Sequence, residues 1–99
     1  MEINKNIEGS KLTIALSGRL DTTTAPVFEK ELKESLNGIN EVVMDFSGLD
    51  YISSAGLRVL LSAQKAMNAS NGSMKVVGAN EIVKEIFEVT GFSDILTIE

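Results

Sequence analysis

The sequence predicts an α/β fold: a mixed β-sheet with an N-terminal hairpin and amphipathic helices packed against it. Three observations lead there. The chain opens on two strand-like segments separated by a tight turn. Past residue 25, segments of helical period alternate with short apolar runs, the rhythm of strand-helix-strand units. The length of 99 residues suits one domain spanning residues 1–99.

Glu2 to Ile7 reads as a short first strand, and Glu8-Gly9-Ser10 is a turn signal. From Lys11 to Ser17 the pattern has period two, with Leu12, Ile14 and Leu16 on one face. Gly18-Arg19-Leu20-Asp21 breaks that pattern and is expected to end the strand; Thr22, Thr23 and Thr24 follow. Pro26 sits where a first helical turn accepts proline. Val27, Phe28, Leu32 and Leu36 recur at helical spacing, and Asn37-Gly38 closes the helix. Glu41 to Phe46 is nearly continuous in apolar residues, as expected for a central strand covered on both faces or flanked by other strands.

A second helix is expected to bury Leu57, Leu60, Leu61 and Met67, with Arg58, Ser62 and Lys65 opposite and Asn71-Gly72 closing it. Met74 to Val77 reads as a further strand. Asn80 is an N-cap for a third helix over Glu81 to Thr90, whose Ile82, Val83, Ile86 and Phe87 face the core. Gly91 is its C-cap, and Phe92 makes the accompanying apolar contact. Ile95 to Ile98 forms a last short strand or an extended tail.

Composition narrows the function. The 43% hydrophobic and 23% charged fractions are ordinary for a soluble globular protein. Nine basic residues against fourteen acidic give a net charge of −5, and the basic residues are scattered. Nucleic-acid binding is disfavoured, because it calls for a clustered basic footprint. No apolar run approaches a bilayer span, the N-terminus is not a signal peptide, and the expected location is the cytoplasm. The absence of cysteine and histidine removes disulfides, thiolate metal sites, and the usual base and zinc ligand. There is no phosphate loop of the Gly-x-x-x-x-Gly-Lys type, and the carboxylate spacing suggests no magnesium site. No catalytic residue, cofactor or metal is assigned, and the chain reads as a non-enzyme.

The most informative stretch is Asp45 to Leu61, DFSGLDYISSAGLRVLL. An apolar strand enters a turn with two adjacent serines, which open directly onto an amphipathic helix. Unpaired backbone amides at a helix N-terminus favour anions, so a serine there is a place to carry a phosphate. The same serines also serve simply as caps. Asp21 with Thr22 to Thr24 is either a capping cluster or a partner contact, and Gly56 is either a site of close backbone approach or a packing accommodation.

This stretch resembles the STAS domain, specifically the bacterial anti-sigma factor antagonists. The motif is Ser53-Ser54-Ala55-Gly56-Leu57 after an apolar strand. Gly18-Arg19-Leu20-Asp21, Val76-Val77-Gly78 and Val89-Thr90-Gly91-Phe92 resemble further family elements, in order along the chain. The resemblance implies a small switch; the surface gives no strong sign of an obligate oligomer, and the chain is expected to be monomeric when free. Its unphosphorylated form binds an anti-sigma factor that is also a serine-protein kinase and so releases sigma factor. Phosphorylation breaks the complex, and a serine phosphatase restores it. The matching acceptor is Ser54, with Ser53 as second candidate, because many members carry aspartate at the position of Ser53. The expected partner-binding residues are Asp21, Thr22, Thr23, Asp50, Ser53, Ala55, Gly56 and Arg58. The alternative within the family is an unphosphorylated accessory or scaffold subunit of a signalling or lipid-transport complex.

Overall fold

A computed structural model describes residues 1–99. The elements run β1 (Glu2–Glu8), β2 (Lys11–Leu20), α1 (Ala25–Ser35), β3 (Glu41–Ile52), α2 (Ser54–Ala69), β4 (Ser73–Val77), α3 (Glu81–Thr90), a 3₁₀ turn (Phe92–Asp94) and β5 (Thr97–Ile98). The sheet order follows the chain, β1-β2-β3-β4-β5. β1 and β2 form an antiparallel hairpin, and β2 to β5 are parallel. This is the expected mixed sheet.

One sheet face carries the core. Leu12, Ile14, Leu16, Val42, Met44, Phe46 and Val76 join Phe28, Leu60 and Phe87 from the three helices in a single cluster of 24 buried residues. Val43 lies outside that cluster although it is buried. Its neighbours on the opposite face are Thr13 and Lys75. β3 is thus flanked on both edges and covered by helices on one face, rather than on both. Lys5 ties the hairpin to α1 through Glu31 at 2.7 Å and Ser35 at 3.0 Å. That contact holds the Glu31 carboxyl below its ordinary range.

Two strands run further than the sequence pattern indicates. β2 continues through Gly18 and Arg19 to Leu20, and β3 continues past Phe46 to Ile52. β3 has 12 residues against 10 in β2, and the pair is in register at both ends, Lys11 with Glu41 and Leu20 with Ile52. Two β-bulges absorb the difference, one between the Ala15–Asp45 and Ser17–Gly48 pairs, the other placing Asp50 between Leu49 and Tyr51. Each bulge resets which residues of β3 face the core, so its period-two signal fails although the strand persists. At the first bulge the Ser47 hydroxyl and amide donate to the Asp45 carboxylate at 2.6 and 3.0 Å. Gly48 leaves room there, since a Cβ would stand 2.9 Å from Ser17 Cβ.

Helix faces differ from the expected stripes at five positions. Val27 is 55% and Ile82 58% exposed, while Leu36, Leu61 and Ile86 are half-buried. The buried face of α1 is Ala25, Phe28 and Leu32, and α2 adds Val59 and Ala63 to Leu57, Leu60 and Met67. A helix on one side of a sheet buries a narrow arc, so flanking apolar residues stay outside. Asn80 caps α3 by accepting from the Val83 amide at 2.8 Å, and its amide nitrogen donates to Leu49 O at 3.1 Å. Gly91 ends α3 at φ +82°.

Candidate functional site

The long arm of β3 carries the chain to the start of α2, and the bulged β2–β3 pairing fixes that start against the end of β2. The Ser53 amide donates to Leu20 O at 2.9 Å. Gly56 makes the approach possible: a Cβ there would sit 2.8 Å from both Leu20 Cγ and Ile52 Cγ1. Gly56 is buried, and this close packing against Leu20 and Ile52 is the reason a glycine stands there.

The two serines are not equivalent. Ser53 has extended backbone geometry (φ −97°, ψ 175°), and its hydroxyl accepts from the Gly56 amide at 3.4 Å. It is the N-cap of α2 and half-buried. Ser54 is the first helical residue and is exposed. Its hydroxyl stands at the end of the helix where unpaired amides give a positive potential. No acidic residue occupies the first turn of α2.

Asp21 organises the neighbouring turn. Its Oδ1 accepts from the Thr23 amide at 3.0 Å, the Thr23 hydroxyl at 2.7 Å and the Thr24 amide at 3.1 Å. The Thr24 hydroxyl donates to Arg19 O at 2.8 Å and accepts from the Asp21 amide at 2.8 Å. The Thr23 hydroxyl above all, with the Thr23 and Thr24 amides, holds the Asp21 carboxyl below the usual carboxylate range. Arg19 lies 4.5 Å over the Tyr51 ring and 4.0 Å from Asp21 Oδ2. Thr24 precedes α1 without a side-chain cap bond into the helix, and Pro26 takes its first turn.

Two grooves flank the start of α2. The first, of about 430 Å³, runs between Thr22 with the N-terminal half of α1 (Pro26, Glu29) and α2 (Ala55, Arg58, Ser62). The second, of about 290 Å³, lies between α2 (Ser54, Leu57, Arg58, Leu61) and the end of α3 (Thr90, Phe92). Arg58 lines both and is the ridge between them. It takes part in none of the ion pairs, which join Lys5 to Glu31, Arg19 to Asp21, Lys33 to Glu29 and Lys75 to Glu99.

Thr22, Ala55 and Arg58 therefore share the first groove, and Ser54 and Arg58 share the second. Asp21 and Thr23 build the turn beside them, with their polar groups bonded to each other. Asp50 is exposed at the second bulge of β3 and lines neither groove. Sequence reasoning missed Pro26, Glu29, Ser62, Thr90 and Phe92. Pro26 and Glu29, like Arg58 and Ser62, fall on common helix faces, but nothing local says which faces oppose each other. No three metal-ligating side chains converge anywhere.

The fold belongs to a defined class: the chain is a member of the STAS domain family, whose model matches residues 1–99. It is 36% identical over 88 residues to BtrV of Bordetella bronchiseptica, a protein bearing the name anti-sigma factor antagonist; the match covers 88% of this chain and 76% of BtrV. It is 25% identical to the anti-sigma-B factor antagonist of Staphylococcus aureus, over 97% of this chain and 94% of that one. The fold is also that of the anti-sigma factor antagonist SpoIIAA. Its unphosphorylated form superposes with a TM-score of 0.86 at 15% identity, covering 99% of this chain and 88% of that one. Its phosphorylated form, from Bacillus, gives 0.78 at 14% identity, covering 99% and 91%.

Proposed function

We propose that this protein is an anti-sigma factor antagonist of one STAS domain, residues 1–99, acting in the cytoplasm and monomeric when free. Unphosphorylated, it binds an anti-sigma factor that is also a serine-protein kinase, and sigma factor is released for transcription. The kinase moves the γ-phosphoryl group of a nucleoside triphosphate to Ser54 Oγ; the hydroxyl proton leaves and the nucleoside diphosphate is released. A serine phosphatase hydrolyses the ester and restores binding. The chain is the substrate of these steps and not their catalyst.

The observation that carries this reading is the division between the serines: Ser53 is committed to the cap and Ser54 is the exposed hydroxyl beside two grooves. A phosphate adds roughly −1.5 to −2 charges. In an interface an uncompensated charge costs several kcal/mol, enough to dissolve a micromolar complex. Thr22, Ala55 and Arg58 line the surface on which the partner rests; Asp21 and Thr23 shape its edge, and Asp50 adds negative charge at the second bulge of β3. The test is incubation with the genomically nearest anti-sigma kinase and ATP, followed by mass spectrometry. One phosphate on Ser54, absent from Ser54→Ala and retained in Ser53→Ala, is the expected result. A binding partner that leaves Ser54 unmodified would overturn the switch.

A further inference from the structure

Arg58 is a cation with no intramolecular partner, placed at the centre of the candidate site. It lies four residues after Ser54 on α2, the spacing that brings two side chains together on one helix face. Both residues line the groove between α2 and the end of α3. The other lining residues of that groove, Leu57, Leu61, Thr90 and Phe92, are uncharged, so a phosphate on Ser54 meets one cation and no anion within it. On its other side Arg58 borders the α1–α2 groove, where Glu29 is the only carboxylate and is already shared with Lys33 at 3.9 Å. The guanidinium is thus on a ridge, exposed, and within reach of either groove. Its planar array of donors matches a phosphate in two-point contact.

We propose that Arg58 is the intramolecular receptor of the Ser54 phosphate, so that modification both adds an anion and withdraws a cation from the docking ridge. This rests on the reading of Ser54 as the phosphate acceptor. In the unmodified chain the guanidinium is presented outward to an acidic group of the partner. After phosphoryl transfer it turns back along its own helix, pairs with the phosphate over the first turn of α2, and is lost to the partner. The interface then changes by more than the charge of the phosphate alone. Arg58 is a positioning residue here and takes no part in bond making.

The test installs phosphoserine at position 54 during synthesis, which makes it independent of any kinase. The phosphate is followed by ³¹P NMR across its second ionisation in the otherwise wild-type chain, Arg58→Lys and Arg58→Gln. The wild-type phosphate is expected to bind its second proton about two- to threefold more weakly than in Arg58→Gln, the size of an exposed i,i+4 ion pair. Arg58→Lys is expected to keep part of the effect, since a point charge remains but the two-point contact is lost. Circular dichroism on the same samples confirms that each is folded. Identical ³¹P titrations in wild type and Arg58→Gln would overturn the proposal. Failure of the acceptor reading shows separately, as a kinase that leaves Ser54 unmodified.

Discussion

At position 53 the serine hydroxyl accepts from the Gly56 amide and satisfies one of the donors left unpaired where α2 begins, while at position 54 the hydroxyl faces solvent. The two substitutions therefore separate stability from signalling. Ser53→Ala removes the cap and is expected to lower stability by about 1 kcal/mol, as typical serine caps do. Ser54→Ala removes no cap, and alanine suits a helix interior, so its stability is expected to stay within about 0.5 kcal/mol of wild type. Urea titrations of both variants at pH 7 check this. Equal losses in the two, or the larger loss in Ser54→Ala, would show that the capping role is misassigned. Asp21 illustrates a related division: its carboxylate is consumed in ordering Thr23 and Thr24, so the charge it contributes to the site is fixed in place.

At the scale of elements, β3 decides where the site is. Its two bulges lengthen it relative to β2 and deliver Ser53 to the Leu20 carbonyl. Asp45 supports the first bulge by accepting from Ser47, whose hydroxyl chiefly, with its amide, holds the Asp45 carboxyl below its ordinary value of 3.8. A depressed carboxyl pKa stabilises the fold above the unfolded value and loses that contribution as pH falls through the folded one. The melting temperature of Asp45→Asn is accordingly expected to lie below wild type at pH 6, with the gap closing below about pH 4. Thermal melts by circular dichroism from pH 6 down to pH 2 are the check, and a gap unchanged over that range would refute the linkage. The same bulges explain what was legible in advance. The hairpin, the helix starts at Ser53 and Asn80, the Gly91 stop and the mixed sheet rest on local rules of period and capping, and the structure has them. The arm of β3 beyond Phe46 was hidden, because a bulge breaks alternation without ending a strand, and the arm of β2 beyond Ser17 because Gly18 stands where alternation calls for an apolar side chain. The exposed Val27 and Ile82 were hidden too, because the width of a buried arc depends on what lies across from it. At the site, the Ser53-Ser54 motif was visible in sequence, whereas the grooves depend on α1 and the end of α3 meeting α2, which no local pattern encodes.

For the whole molecule, the question is whether the phosphate acts by unfolding the domain or by altering its surface. Ser54 lies outside the 24-residue core cluster, and all three helices and the sheet contribute to that one cluster. Modification removes no buried contact. Two electrostatic effects oppose each other. The positive end of α2 favours the phosphate by about 0.3–1 kcal/mol at an exposed position. The net charge, −5 before modification, becomes more negative by about two, which raises self-repulsion across an already acidic molecule. At physiological salt the Debye length is only about 8 Å, so the local term at the helix end outweighs the distributed one. Phosphorylated and unphosphorylated protein are therefore expected to melt in single cooperative transitions within a few degrees of each other, the phosphorylated form equal or higher. For a domain of this size, ~1 kcal/mol corresponds to roughly 4–8 °C. Raising the salt concentration should shrink whatever difference remains, because the exposed phosphate and the helix end are screened from each other. Differential scanning calorimetry of the two forms at low and physiological salt is the measurement. A phosphorylated form that lost its cooperative transition would mean that the modification disrupts the fold, and the interface account of the switch would fall with it.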